Sequence, residues 1–182
     1  MIDAPKLTSN RTEAQRFLDL LEPYGEFWFQ TAIEPKPKEK GAGGSRVLHG
    51  TLDDCWDELV KLNAMKRAVW VQINAGTGRA DGAVTWVRSY FVDIDKGDGH
   101  DLLNAAVPTD IILETSPGKY HGYWLTGSCP LDQFKRRQLI LAEKFGGDTS
   151  VCNLGRVMRL PGLLHQKEEP FLSRIFRIRE GL

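Results

Sequence analysis

The chain has 182 residues, 41% hydrophobic and 26% charged, enough to bury a real core as one domain or two tightly joined modules. Its 24 basic and 24 acidic residues cancel, so it lacks the positive excess that marks many nucleic-acid binders. The start is polar and charged through Arg16, and no apolar run approaches the roughly 20 residues of a membrane span, so no signal peptide or membrane segment is expected and the predicted compartment is the cytoplasm. Cys55, Cys129 and Cys152 lie far apart without a Cys-x-x-Cys pair, which argues against a zinc knuckle or a disulfide framework; they read as buried thiols. Charge is local: acids bunch between Asp93 and Asp101, and arginines between Arg174 and Arg179.

Ala14, Phe17, Leu18 and Leu21 recur at helical spacing behind a cap at Asn10, with Glu13 three residues on, and Pro23 and Gly25 end that helix. The aromatic run from Phe27 to Phe29, with Thr31 and Ile33, predicts a strand. Residues 34–45, rich in lysine, glycine and proline, predict a surface loop. Thr51 caps a predicted helix from Leu52 to Met65 whose apolar stripe is Cys55, Leu59 and Leu62. Ala68 to Ile73 predicts a strand, Asn74 to Gly82 a turn-rich loop carrying Arg79, and Ala83 to Ile94 one or two further strands. A short helix around Leu102 to Ala106 precedes a strand from Asp110 to Thr115. Pro117 and Gly118 then suit the centre of a type II turn into a returning strand, Tyr120 to Leu125. Leu131 to Phe145 predicts a helix stopped by Gly146 and Gly147. The order of elements predicts one sheet-based α+β architecture.

Three clusters carry chemistry. Side chains alternate along a strand, so in Phe91-Val92-Asp93-Ile94-Asp95 the two carboxylates share a face. Left alone they would repel, whereas one or two Mg²⁺ ions between them would remove that penalty and leave positions open for phosphate oxygens. A calcium loop starting at Asp93 fails in register: Asp98 stands where the sharp-turn glycine belongs and Asn104 where the bidentate glutamate belongs. Ser116, Lys119 and His121 place a hydroxyl, a cation and an imidazole around one hairpin, a phosphate-binding set, although a lone strand histidine is more often structural. The third cluster holds Asp148 after a helix, then Arg156 and Arg159, which would be neighbours on a helical turn; a helix cap and surface salt bridges are the plainer uses of these residues.

The order of these clusters resembles the archaeo-eukaryotic primase superfamily, in particular the RepB-like primase-polymerase domains of plasmids, phages and mobile elements. The likeness rests on the hydrophobic-Asp-hydrophobic-Asp strand at Asp93 and Asp95, Ser116 and His121 on a hairpin, and Asp148 after a helix. The stretch Arg156, Arg159, Pro161 and Gly162 adds an Arg-x-x-Arg-x-Pro-Gly run. Four residues separate the serine from the histidine, wider than the Ser-x-His of several relatives, and the zinc-binding cysteines of some branches are missing. The resemblance implies a single primase-polymerase catalytic domain, with an N-terminal α/β module (1–82) packed on a catalytic module like an RNA-recognition-motif sheet (83–182) and the active site in the cleft between them. It implies template-directed joining of nucleoside triphosphates on single-stranded DNA, with Asp93, Asp95 and Asp148 holding Mg²⁺ or Mn²⁺. His121, Ser116 and Lys119 would meet the incoming triphosphate; Arg156, Arg159 and Lys167 would meet phosphates or the template backbone; a replicative helicase is the expected partner.

Two rival functions compete with this one. A rolling-circle nicking enzyme needs a pair of histidines flanking one hydrophobic residue, which His49, His100, His121 and His165 never form. A non-catalytic single-stranded nucleic-acid-binding module would stack bases on exposed aromatics between Phe27 and Phe29 or near Tyr123. Tyr120 and Tyr123 are also candidates for a sugar gate.

Overall fold

The computed structural model describes residues 7–33, 44–96 and 99–182. Most of the predicted loop over 34–45, together with residues 97 and 98, lies outside them. Helix α1 (Arg11–Leu21) starts where the Asn10 side chain accepts from the Glu13 amide, and its stripe of Ala14, Phe17, Leu18 and Leu21 is buried. The Glu13 carboxylate does not close a capping box; it accepts from the Ile175 amide instead. Strands β1 (Phe27–Ile33) and β2 (Arg46–Gly50) lead to α2 (Leu52–Ala64), where Thr51 and Asp54 form a reciprocal capping box. Strand β3 (Arg67–Gln72) and a small ribbon of β4 (Ala75–Gly76) and β5 (Val84–Trp86) complete the first half.

The second half opens with β6 (Ser89–Ile94), a one-turn helix α3 (His100–Leu103), and the hairpin β7 (Ile111–Ser116) and β8 (Lys119–Leu125). Gly118 takes the positive φ of +72° that the turn requires. Helix α4 (Leu131–Phe145) ends on Gly146. The chain then forms β9 (Val157–Arg159), the short pair β10 (Leu164–His165) and β11 (Phe171–Leu172), and β12 (Arg174–Ile178).

Two four-stranded sheets result, in the orders β2-β1-β3-β9 and β12-β7-β8-β6, and every pairing in them is antiparallel. The first sheet takes its fourth strand, β9, from far downstream. The larger core joins α1 and the inner faces of β1 and β3 to Phe91, Ile111, Leu113 and Tyr123 of the second sheet; a smaller one, with Val92, Ile112 and Trp124, lies on that sheet's other face. Phe91, Ile111 and Tyr123 therefore pack against the N-terminal elements, and their strand neighbours against α3 and α4.

Several local expectations change. The short helix begins at His100 and ends at Leu103, earlier than its apolar residues suggest, because the Leu102 and Leu103 amides both donate to the Gly99 carbonyl. Only Cys55 is fully buried; Cys129 and Cys152 are half-buried. The arginines of the tail are built into the fold: Arg174 pairs with Glu114 and Arg179 with Asp110, while Arg177 reaches the Leu103 carbonyl. No described helix is long and apolar enough to cross a membrane.

Candidate active site

One face of the second sheet changes character along its strands. Phe91 stands opposite Tyr123 and Asp93 opposite His121, while on β7 Ile111 and Leu113 pair with Tyr123 and His121. Phe91, Tyr123, Ile111 and Leu113 have no exposed surface. Two residues further along each strand, the same face presents Asp93 and Asp95, His121 and Lys119, and Thr115 to a cleft of about 480 Å³. The period-two alternation that builds the core thus carries the polar groups out of it on the same face. The first sheet also lines the cleft, through Gln30 and Ala32 of β1, Trp70 of β3 and Arg159 of β9.

Asp148 reaches the cleft by a backbone route. Strand β6 is an edge strand, and its outward groups find partners in α4 and the segment after it: the Gln138 side chain accepts from the Phe91 amide at 3.2 Å and donates to the Phe91 carbonyl, and the Asp148 amide donates to the Asp93 carbonyl at 3.0 Å. Gly147 makes this approach possible, since a Cβ there would stand 3.0 Å from the Asp93 carbonyl oxygen. Gly147→Val is expected to push the segment off the strand and cost about 1–3 kcal/mol, as overpacking does; thermal denaturation beside Gly127→Ala, where a Cβ meets open space, would check it.

Two of the carboxylates already have partners from the hairpin. Asp93 Oδ1 lies 3.4 Å from His121 Nε2, and Asp95 Oδ1 lies 3.0 Å from Lys119 Nζ. Burial pushes the Asp93 carboxyl up, but His121, Lys119 and Arg159 outweigh it, and the group sits below its ordinary value. The hydrogen bond and charge of Asp95 raise Lys119 above its own. Both Asp148 oxygens accept from Ser150, one from its amide and one from its hydroxyl, each at 2.8 Å. Among the described residues no group of three or more acids, histidines or cysteines is gathered closely enough to hold a metal ion. The donor chemistry still fits a hard divalent cation: three carboxylates from two segments border one cleft, and an ionised carboxylate has about four lone-pair positions, of which Ser150 engages two on Asp148.

Asp93, Asp95, Lys119, His121, Asp148, Arg156, Arg159 and Lys167 all border the cleft, whereas Ser116 borders an adjoining recess of about 160 Å³, with Lys119, His165 and Lys167 shared between the two. Arg156 and Arg159 are not neighbours on a helical turn. Strand β9 is extended, held by β3, so Arg159 lies over the Trp70 ring at 5.6 Å while Arg156 donates to the Ser150 carbonyl. The aromatics proposed for base stacking are mostly sealed: Phe27, Phe29 and Tyr123 are buried, and the half-buried Trp28 stacks on His49. Tyr120 lies on the opposite face of the sheet, against Phe176, and Tyr123 lies in the core, so neither borders the cleft as a sugar gate. Gln30, Trp70, Thr115 and His165 border the cleft without having stood out in the sequence. Gln30, beside Thr31 in a strand otherwise apolar and aromatic, was the one available signal; the others needed the register between distant strands.

The RepB DNA-primase N-terminal domain model matches residues 62–181, a span holding every one of these acids and cations. The chain belongs to this primase family. The fold agrees with it, being the α+β fold of the archaeo-eukaryotic primases. The structure is similar to the AEP domain of the cyanophage S-2L primase-polymerase at a TM-score of 0.76 and 24% identity, covering 97% of this chain and 94% of that one. It is also similar to the catalytic domain of primase RepB′, solved in complex with initiator DNA, at a TM-score of 0.63 and 15% identity, covering 91% and 85%. No curated protein matches the chain. Membership places the domain among DNA primases.

Proposed function

We propose that the chain is a primase-polymerase that joins nucleoside triphosphates on a single-stranded DNA template and releases pyrophosphate, in the cleft between its two sheets. The observation that carries this reading is the convergence on one cleft of Asp93, Asp95 and Asp148 with His121, Lys119, Arg159 and Lys167, in a member of a primase family. Nucleotidyl transfer needs positioning and charge neutralisation far more than covalent chemistry from the protein, and that is what this set offers.

Asp93, Asp95 and Asp148 would hold Mg²⁺ or Mn²⁺. Bound there, the metal supplies a lowered pKa for the attacking hydroxyl and a counter-charge for the pyrophosphate. His121, Lys119 and Ser116 orient the triphosphate from the hairpin, with Ser116 acting from the adjoining recess. Arg156, Arg159 and Lys167 stand on the cleft's border, suited to phosphates of the nucleotide or of the template. Lys119 is paired with Asp95, so it is expected to exchange that partner for a phosphate when a nucleotide binds.

The test is synthesis on primed and unprimed single-stranded DNA with Mg²⁺ or Mn²⁺, alone and with a replicative helicase from the same replicon. Metal-dependent products are expected from the chain alone, and products from free nucleotides without a primer would make it a primase as well as a polymerase. Binding of single-stranded DNA with no product under either metal would overturn the catalytic reading and return the chain to a binding role.

A further inference from the structure

Tyr123 is a polar side chain sealed in the core beneath the cleft. It is fully buried, its ring edge-on to Phe17 at 5.2 Å and tilted against Phe91 at 6.5 Å, and its hydroxyl lies 3.1 Å from His121 Nδ1. A buried hydroxyl left without a partner is costly, so this contact constrains both groups. Burial, with the charge of Asp93, raises the phenol well above its ordinary value, and it keeps its proton. That one O–H needs an acceptor, which Nδ1 can be only if it carries no hydrogen. The other ring nitrogen faces Asp93, an acceptor when ionised, and borders the cleft. One form of the ring satisfies both neighbours.

We propose that Tyr123 is a positioning residue that holds His121 in the Nε2–H tautomer, so that the imidazole offers the cleft a hydrogen-bond donor and not a base. The consequence for chemistry rests on the cleft being a nucleotide site. There, an Nε2–H suits triphosphate oxygens, which only accept, and a nitrogen already carrying hydrogen does not take the proton of an attacking hydroxyl. His121 then orients the triphosphate, and the proton of the hydroxyl leaves by another route.

Long-range ¹H–¹⁵N correlation on the labelled full chain near pH 8, where an unperturbed imidazole is neutral, tests the tautomer directly. The expected result is a protonated Nε2 and a bare, hydrogen-bonded Nδ1. In Tyr123→Phe the Nδ1 signal should move toward that of a nitrogen with no hydrogen bond, and the tautomer ratio should fall by about 3- to 10-fold, the worth of one hydrogen bond. Hydrogen on Nδ1 in the native chain, or an Nδ1 signal unchanged in a folded Tyr123→Phe chain, overturns the proposal, and the native spectrum decides even if the variant fails to fold. Titration of both chains with Mg²⁺–dATP separates the two claims. A roughly 3- to 10-fold weaker affinity in the variant is expected. If neither chain binds nucleotide while the spectra are as expected, the tautomer stands and the reading of the cleft falls.

Discussion

Asp93→Asn is expected to lower metal-dependent nucleotide joining by about 10²–10⁴-fold, the several kcal/mol that a bound cation's charge supplies to such a transition state. The replacement is close to isosteric and keeps the β6 backbone, whose outward carbonyl is held by the Asp148 amide, so the loss is expected to come from charge rather than from unfolding. The same change leaves His121 an uncharged acceptor in place of the carboxylate, across a contact of 3.4 Å, and a shift of at most a few degrees in thermal midpoint should accompany it. Asp148→Asn tests the set from the other side: its amide bond to Asp93 is untouched, and one side-chain oxygen remains to accept from Ser150. Primer-extension rates for both variants, beside their affinity for single-stranded DNA, are the measurement. An Asp93→Asn chain that extends primers within about threefold of the native rate would remove Asp93 from the metal set, since losing a ligand to a catalytic cation costs far more than that.

Gly162→Ala is expected to cost roughly 3 kcal/mol, about 6–12 °C of thermal midpoint for a chain of this size. Gly162 has a φ of +82°, and a Cβ there would stand 2.2 Å from the Asn10 carbonyl oxygen, a backbone atom that cannot swing aside. Its own groups are tied at both ends, since its carbonyl accepts from the Asn10 amide and its amide donates to the Ser173 carbonyl, each at 2.7 Å. These bonds anchor the start of α1, whose Phe17 packs edge-on against Tyr123. Displacing α1 therefore loosens the packing under His121, and nucleotide affinity should fall with stability. A midpoint within 2 °C of native, on the order of one kcal/mol or less, would show that the junction relaxes at little cost.

The features legible without coordinates obey local rules. The caps at Asn10 and Thr51, the turn at Gly118 and the stop at Gly146 each depend on a few adjacent residues, and they stand where the sequence put them. The shared face of Asp93 and Asp95 needed only the alternation of a strand. The errors lie where distant segments decide. Arg156 and Arg159 looked helical by spacing, but β3 offered its edge and drew residues 157–159 into a sheet. The register that sets Asp93 against His121 joins strands separated by α3 and β7, and no local pattern encodes it. Trp70 borders the cleft because the first sheet turns that face to the second, a relation between two layers that sequence alone does not carry.

The late arrival of β9 also bears on how the molecule is made. When the N-terminal half has left the ribosome, β3 has β1 on one side and nothing on the other, for the strand that covers it comes after α4. Loop closure over so long a stretch is slow relative to local pairing, and an open edge beside Trp70 and Val71 invites pairing with another nascent chain in the meantime. Expression as an N-terminal fragment should therefore give aggregates. A permuted gene that places residues 157–159 ahead of α1 would shield that edge early in synthesis.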